Sequence, residues 1–266
     1  MDQRQARGTP RILLAGGTGD SRQVLAALRQ AGYVVGVTVA TEGARHALLG
    51  TGAEAVHVGR RDADAFAELL HHIGYQAVVD ASHPFAAELH AALRQAAARV
   101  GIPYLRYERP PTTLPPHPHL FFATTPEEAA RLAVAPGGTV FLTTGIRHLA
   151  LFRAAADAAR VRLVARALPT PESLEALMAA GFAPQDLVLL RGPFHPALNL
   201  ALYEHFGARV LVTKESGEDG GVRQKVEPAL AAGLVVVLWS RPGAEGPVFS
   251  SPTEVLSGLL HLVPPP

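Results

Sequence analysis

The amino-acid sequence predicts an α/β protein made of two Rossmann-like domains with mainly parallel sheets and an active site in the cleft between them. Short β-branched apolar runs alternate with amphipathic helical stretches, which is typical of parallel α/β architecture. A glycine turn follows the first apolar run, and a proline-rich stretch interrupts the alternation near the middle. The 266 residues suffice for two domains of ordinary size, and a cleft between two such domains is a common ligand site.

The first half of the chain is predicted to contain five strands and four helices. Val24, Leu25 and Leu28 share one face of the first helix, Asp62 is the expected N-cap of the third, and Gly101 ends the fourth. Right-handed crossovers then put the strands in one parallel sheet. The predicted strands are 11–17, 33–40, 53–59, 77–82 and 103–107, and the predicted helices are 20–31, 43–49, 62–73 and 85–100.

A proline-rich stretch separates the two halves. Five of residues 110–118 are prolines, so the stretch is neither a helix nor a central strand. We interpret it as an extended, semi-rigid linker between a dinucleotide-binding domain, 1–109, and a substrate-binding domain, 119–266. In the second half the predicted strands are 120–123, 139–144, 162–167, 187–191, 208–213 and 234–240, and the last predicted helix is 253–262.

Composition excludes several classes of protein. No apolar run is long enough to span a membrane, and the polar start of the chain lacks a signal-peptide core, so we expect a cytoplasmic protein with no membrane partner. The net charge of +1 argues against nucleic acid as a partner. The absence of cysteine excludes disulfides and thiolate metal sites, and we expect no metal. A monomer or a small homo-oligomer is expected.

The glycine turn after the first strand predicts a phosphate site. Glycines let a phosphate approach backbone N–H groups at a helix N-terminus, where the helix dipole favours anions. Arg22 stands where the dinucleotide fingerprint has its third glycine, and a purely structural turn capped by Asp20 or Ser21 is the alternative. The candidate cofactor-binding residues of this turn are Gly16, Gly17, Thr18, Gly19, Asp20 and Ser21.

The end of the second strand bears on the choice of nicotinamide cofactor. An NAD-selective site usually carries an acid there to hold the ribose hydroxyls. Thr38, Thr41 and Arg45 suit the 2′-phosphate of NADPH, whereas Glu42 keeps NADH open. We therefore expect NADPH or NADH, with NADPH favoured.

A second group of candidates follows the fourth strand. Ligands of open α/β sheets bind beyond the carboxyl ends of strands. We expect Ser82 to cap the next helix, and His83 and Pro84 to contact the cofactor. A histidine at a helix N-terminus tends to stay neutral, so His83 is also a candidate catalytic residue. The alternative is an ordinary capping turn.

The choice of cations singles out two residues. Lys214 and Lys225 are lysines, whereas the other 22 basic residues are arginines. In a chain that otherwise uses arginine, two lysines eleven positions apart indicate that an ammonium group is needed there. The alternative is chance.

Six motifs in order give the chain a resemblance to the precorrin-6A reductase family. They cover nearly the whole of residues 11–242, with Lys225 and Arg241-Pro242 completing the likeness. The family more often has Glu at the position of Asp20 and Thr at that of Ser82, and both differences preserve the chemistry. The motifs are Gly-Gly-Thr-x-Asp-Ser-Arg (16–22), Asp-Ala-Ser-His-Pro-Phe-Ala (80–86), Arg-Tyr-Glu-Arg-Pro (106–110), Leu-Thr-Thr-Gly (142–145), Gly-Pro-Phe (192–194) and Thr-Lys-Glu-Ser-Gly (213–217).

The resemblance implies reduction of one ring double bond of precorrin-6A in cobalamin synthesis. The family has an NADPH-using branch acting on metal-free substrate and an NADH-linked branch acting on the cobalt complex, and the motifs do not choose between them. Such a tetrapyrrole is ringed with carboxylates, which the planar fork of arginine binds well. The candidate substrate-binding residues, most of them near predicted strand ends, are Arg106, Arg109, Arg147, Arg166, Arg191, Lys214, Ser216 and Lys225.

Hydride transfer needs orientation of the cofactor and also a proton for the neighbouring carbon. His83 and Lys214 are the candidate catalytic residues, with Glu108 and solvent as open alternatives. Two other functions stay open: an NAD(P)-sensing protein without turnover, and a uroporphyrinogen-III synthase-like cyclase. Nucleotide binding followed by turnover distinguishes all three.

Overall fold

The computed structural model describes residues 9–192 and 194–265. The chain divides into two compact units. The first comprises residues up to Pro110 together with Gly243–Pro266, and the second comprises Pro111–Pro242. Within the described residues, no helix is long and apolar enough to cross a membrane.

The first unit is built on a parallel sheet whose first five strands have the order β3-β2-β1-β4-β5. The strand order therefore reverses between β1 and β4, and ligands of open α/β sheets bind at such a switch point. The elements are β1 (Arg11–Ala15), α1 (Gly19–Gln30), β2 (Val34–Val39), α2 (Glu42–His46), β3 (Ala55–Val58), α3 (Ala63–Ile73), β4 (Ala77–Asp80), α4 (Ala87–Val100) and β5 (Tyr104–Tyr107).

Strand β1 shows why this sheet is buried on both faces. Ile12 and Leu14 belong to a core that includes residues of α1, whereas Leu13 and Ala15 belong to a second core with residues of α3 and α4. All four side chains are fully buried. The continuous apolar run is what a central parallel strand needs, since helices cover both faces of its sheet.

The second unit repeats this design with a parallel sheet of order β6-β11-β10-β7-β8-β9. Its core includes an edge-to-face pair between Phe141 of β7 and Tyr203 of α8, whose ring centroids are 5.3 Å apart. The elements are β6 (Leu120–Ala123), α5 (Pro126–Val134), β7 (Thr139–Leu142), α6 (Leu149–Ala159), β8 (Arg162–Ala167), α7 (Pro171–Ala179), β9 (Leu187–Leu189), α8 (Pro196–His205), β10 (Ala208–Lys214), α9 (Val222–Ala231) and β11 (Val235–Trp239).

The last segment of the chain corrects the expected domain boundaries. Residues 243–266 were expected in the second domain, but they belong to the first unit. Strand β12 (Val248–Phe249) pairs in parallel with β5, and α10 (Pro252–Leu262) buries Val255 and Leu259 in the same core as Ile12. A two-residue strand is too short to show an alternating pattern, which is why the sequence did not predict it.

The expected linker also differs from the structure. Residues 108–117 lack regular structure, as their prolines require. From Pro111 onward, however, the stretch packs as part of the second unit. The backbone N–H of Thr112 donates to Oε1 of Glu215 at 2.9 Å, and Leu114 packs against the core of that unit. Most of the expected linker is therefore an integral part of the second unit. The buried N–H of Thr112 needs a hydrogen-bond acceptor, and Glu215 supplies it.

Candidate active site

The switch point of the first unit brings together the glycine turn after β1 and the segment after β4. Thr18 Oγ1 donates to the carbonyl of Ala81 at 3.2 Å, and the N–H of Ala81 donates to the carbonyl of Ala15 at 3.0 Å. On the other side, the N–H of Gly16 donates to the carbonyl of Thr38 at 3.0 Å. These bonds fix the turn against both neighbouring strand ends, where a nucleotide is expected to bind.

The glycine turn is closed by hydrogen bonds among its own residues. Thr18 caps α1 by accepting from the N–H of Ser21, and Ser21 Oγ donates to the carbonyl of Thr18 at 2.8 Å. Gly17 has a φ of 115°, a backbone conformation that residues other than glycine rarely adopt. The N-cap of α1 is therefore Thr18, and not Asp20 or Ser21.

The buried carboxylate of Asp80 organises the segment after β4. It accepts from the N–H and the Oγ of Ser82 at 3.0 and 2.6 Å, from the ring Nδ1 of His90 at 2.7 Å and from the hydroxyl of Tyr104 at 2.8 Å. Burial alone would raise the pKa of Asp80, but the His90 hydrogen bond and the Arg106 charge outweigh it and lower the pKa to about 2. Asp80 is thus a permanent anion that anchors residues 82–90.

The positions of Ser82 and His83 correct two predictions. Helix α4 begins at Ala87 and has no side-chain cap, so Ser82 is not its N-cap. The Ser82 hydroxyl donates to Asp80 instead. His83 lies four residues before the helix and is exposed, while its Nδ1 accepts from the N–H of Phe85 at 3.2 Å. The helix-dipole argument for a neutral His83 therefore does not apply, whereas Pro84 is buried in the same loop.

Arg106 has a different place from the one predicted. It was expected to bind substrate, but it is 3% exposed and its Nη1 donates to the carbonyls of Asp80 and Ser82 at 2.9 and 3.2 Å. Its Nη2 faces Glu108 at 3.4 Å. Arg106 is a buried support for the strand ends because its donors are committed to groups of the protein.

Arg109 and Asp20 form an ion pair, with 2.6 Å between Nε and Oδ2, and both side chains are largely buried. Arg109 was expected to bind substrate and Asp20 to bind cofactor. The structure instead joins the first turn of α1 to the segment that follows β5.

The end of β2 offers fewer cofactor contacts than expected. Thr38 is 3% exposed within the strand, so its side chain does not suit a 2′-phosphate. Thr41 caps α2 by accepting from the N–H of Ala44 at 3.2 Å. Arg45 and Glu42 are exposed and form an ion pair of 3.4 Å. A cation and an acid thus lie side by side in the short helix that follows β2.

In the second unit, cations converge at the carboxyl end of the sheet. Lys214 ends the central strand β10, and its Nζ lies 4.9 Å from the ring centroid of Trp239. Burial and the nearby charge of Arg147 lower the pKa of Lys214 to about 8. Lys225 of α9 donates to the carbonyl of Gly220 at 3.1 Å, and burial and the charge of Arg166 lower its pKa to about 7. Such depressed values are common at functional sites.

The remaining predicted residues of the second unit differ in exposure. Arg147 and Arg191 are exposed. Arg166 is buried, donates to Oδ1 of Asn199 at 2.7 Å and lies 4.7 Å from the ring centroid of Phe194. Ser216 is 5% exposed in the turn after β10. The exposed arginines suit encounter with a polyanion, whereas Arg166 sits deeper.

The sequence did not single out four residues that support these sites: His90 and Tyr104 in the first unit, and Glu215 and Arg241 in the second. Glu215 accepts from the N–H groups of Thr112 and Gly217 and pairs with Arg241, whose Nε is 2.5 Å from Oε2. Glu215 and Arg241 follow β10 and β11, which are neighbours in the sheet. An acid and a cation that each follow a strand could have indicated this ion pair. The sequence did not predict, however, that β10 and β11 are neighbours. In the described part of the chain, no cluster of three or more His, Asp or Glu side chains is arranged to hold a metal ion.

Comparison with known proteins decides the family. Residues 11–259 match the family model described as precorrin-6x reductase CbiJ/CobK. The chain belongs to this family. It is 37% identical over 252 residues to the cobalt-precorrin-6A reductase of Priestia megaterium, covering 94% of this chain and 98% of the relative. It is 34% identical over 233 residues to the precorrin-6A reductase of Rhodococcus erythropolis, covering 87% of this chain and 89% of the relative.

A solved structure agrees with the sequence relatives. The structure described as CobK precorrin-6A reductase is similar with a TM-score of 0.74 and 25% identity, covering 97% of this chain and 98% of that one. The predicted fold class of two Rossmann-like α/β sheets and the resemblance to the precorrin-6A reductases are both confirmed. The chain is an oxidoreductase of cobalamin biosynthesis.

Proposed function

We propose that the chain uses NADPH or NADH to reduce one ring double bond of precorrin-6A or of its cobalt complex, giving the dihydro product. The glycine turn at the switch point carries this proposal. Its glycine at a φ of 115° and its tie to β4 through Thr18 place backbone N–H groups and a helix N-terminus together. That combination suits the diphosphate of a dinucleotide.

The first unit is proposed to bind the nucleotide. Residues 16–21 approach the phosphates, while His83 and Pro84 in the loop held by Asp80 are the proposed contacts to the rest of the cofactor. Thr41 and Arg45 are the proposed contacts on the adenosine side, and Arg45 is the cation there that favours NADPH. Its partner Glu42 is the acid that favours NADH.

The second unit is proposed to bind the tetrapyrrole through Arg147, Arg166, Arg191, Lys214, Ser216 and Lys225. The charges of these residues support this assignment. Two lysines with depressed pKa values lie close to arginines, so the free protein holds like charges near one another. A ligand with several carboxylates relieves this repulsion, which makes a polyanion a suitable ligand.

The reaction adds a hydride and a proton across one carbon–carbon double bond. A nicotinamide nucleotide held by the first unit would supply the hydride and would itself be oxidised. We assign the proton to Lys214, because a pKa of about 8 lets its ammonium donate near neutral pH. The Lys214 side chain is half-buried, and its Nζ lies 4.9 Å from the ring centroid of Trp239.

Fluorescence titration of NADPH and NADH tests the nucleotide half of the proposal. Binding should enhance the fluorescence of at least one nucleotide, and Gly17→Asp should abolish binding because a carboxylate enters the phosphate site. Gly74→Asp is the matched control. Gly74 has a φ of 77°, open space around it and a place before β4, at the opposite edge of the sheet. Loss of binding in both variants would contradict the assignment of the turn.

Anaerobic turnover then identifies the nucleotide and the form of the tetrapyrrole. Precorrin-6A and its cobalt form are each tested with each nucleotide, and oxidation of the nucleotide is followed by absorbance. No binding of either nucleotide, or binding without oxidation by either tetrapyrrole, would contradict the proposed use of NADPH or NADH.

A further inference from the structure

The ion pair between Asp20 and Arg109 stands at an unusual place. Asp20 is the second residue of α1, directly after the glycine turn, and it is 5% exposed. Arg109 lies two residues after β5, which is separated from β1 by β4. The 2.6 Å contact between Nε and Oδ2 therefore joins segments on both sides of β4 in front of the switch point.

A carboxylate at this position has two opposite effects. It stabilises α1, since acids in the first turn interact favourably with the helix dipole. It also places a negative charge beside the N–H groups that a diphosphate would use, and like charges within a few ångströms in a partly buried site repel strongly. Asp20 on its own would thus oppose the ligand for which the turn is suited.

Resting on the proposed function, we infer that Arg109 is a positioning residue for the nucleotide. Its guanidinium neutralises Asp20 and holds that side chain on the side of β5. The helix keeps the acid that stabilises its first turn, and the phosphates meet a turn of nearly neutral net charge. Arg109 thereby acts on the cofactor through Asp20, although the sequence analysis had assigned it to the substrate.

Nucleotide affinity in a double-mutant cycle tests this role. Arg109→Ala should weaken NADPH or NADH binding by about tenfold, because it removes the positive charge that lies 2.6 Å from the carboxylate of Asp20. Asp20→Asn in the same chain should restore the affinity to within about threefold of wild type, because it removes the charge that Arg109 balances. Arg109→Lys should bind nearly as tightly as wild type. Arg109→Gln keeps a donor without the charge, and it carries the test if Arg109→Ala does not fold.

Ionic strength separates this electrostatic role from a merely structural one. Raising the salt from about 50 mM to about 500 mM shortens the screening length, so the difference between Arg109→Ala and wild type should shrink. A loosened fold would leave that difference unchanged. Arg11→Ala is the matched control, since Arg11 forms a 2.9 Å ion pair with Glu54 at the amino end of β1 and should leave nucleotide affinity unaltered.

Three outcomes overturn the inference: unchanged affinity in both Arg109→Ala and Arg109→Gln, weakened affinity that Asp20→Asn does not restore, or a loss that salt does not reduce. Each of these leaves the proposed function intact as long as the wild-type protein binds nucleotide. If the wild type binds neither NADPH nor NADH, the proposed function fails and this inference fails with it.

Discussion

The hydroxyl of Tyr104 donates a 2.8 Å hydrogen bond to Oδ2 of Asp80, the same oxygen that His90 contacts at 2.7 Å. Tyr104 starts β5, Asp80 ends β4 and His90 lies in the first turns of α4. One carboxylate thus joins three consecutive elements beneath the proposed nucleotide site. Burial raises the pKa of Tyr104, and the negative charge of Asp80 raises it further, so the phenol remains a donor at all ordinary pH values.

Tyr104→Phe should lower the free energy of unfolding by about 1.5–3 kcal/mol, as expected for a lost hydrogen bond to a charged group. The ring still fills the same space, so the change isolates the hydroxyl. Urea denaturation followed by circular dichroism measures it. An unfolding midpoint equal to that of wild type would show that Asp80 does not need this donor.

Asp80 should make the protein sensitive to acid. Its pKa of about 2 in the folded state lies below the ordinary 3.8, so the unfolded chain binds more protons between these values. The stabilisation is fully present above pH about 4 and is lost as the pH falls towards about 2; it amounts to about 2 kcal/mol. The free energies of unfolding of wild type and Asp80→Asn, compared from pH about 7 down to about 2, should converge as the pH falls below about 4. Asp64→Asn, at an exposed ion pair, should run parallel to wild type.

Lys214→Ala should raise the KM for tetrapyrrole at least about tenfold, the usual effect of losing a charge-assisted hydrogen bond, while the Kd for nucleotide stays within about twofold. The kcat should fall as well if Lys214 supplies the proton. Steady-state kinetics measure kcat and the KM for tetrapyrrole, and fluorescence titration measures the Kd for nucleotide. A comparable loss of affinity for both ligands would refute the division of binding between the two units.

The pH profile of kcat/KM gives an independent test of the same residue. The pKa of Lys214 is about 8, so its ammonium is lost as the pH rises through that value and kcat/KM for the tetrapyrrole should decline. Lys214→Arg keeps its charge at higher pH but cannot donate the proton, so its Kd for the tetrapyrrole should stay constant through pH about 8 while its kcat falls. A kcat in Lys214→Arg equal to that of wild type would assign the proton to another group.

Lys225→Met should make the protein more stable and less able to bind the tetrapyrrole. Burial lowers the pKa of Lys225 to about 7 from the ordinary 10.5, so below pH about 7 the folded state carries the full cost of a charged ammonium. As the pH rises from about 7 to about 10.5, wild type regains stability because only the unfolded chain still binds the proton. The variant should therefore be more stable than wild type near pH 6, and this difference should shrink as the pH rises towards about 10.5. Thermal unfolding across this range checks the sign.

Leu259→Ala should destabilise the first unit although it lies in the last helix. The side chain is fully buried in the core shared by β1 and α1, and such a truncation costs about 2–5 kcal/mol. Leu260→Ala, the next residue of the same helix and 40% exposed, is the control and should cost little. Hydrogen exchange should show faster opening of α1 and β5 in Leu259→Ala, with α8 and α9 unaffected. Equal opening in both units would contradict the assignment of α10.

Much of the fold was predictable because parallel strands carry continuous apolar runs. Ile12, Leu13 and Leu14 identify β1 from composition alone, since both faces of the strand are buried. The short pairing of Val248 and Phe249 with β5 was not predictable, because two residues have no periodicity and their partners, Arg106 and Tyr107, lie 142 residues earlier in the chain. The boundary of the first unit therefore depends on the pairing of β12 with β5, which no local sequence pattern reveals.

The site was predictable at its glycine turn and less so around it. The residue types of Gly17 and Thr18, together with their position directly after a predicted strand, indicated the turn. The ion pairs of Arg106 and Arg109 could not be predicted, because a sequence shows which side chains are cationic but not which acids face them. Asp80 and Asp20, respectively, supply those acids in the folded chain.

The return of residues 243–262 to the first unit sets an order for folding during translation. A ribosome releases the polypeptide from its N-terminus, and domains usually fold in the order of their synthesis. Here β1–β5 emerge first yet wait for Val255 and Leu259 to fill their core, whereas residues 111–242 are complete earlier. The unit that begins synthesis is therefore the one that matures last.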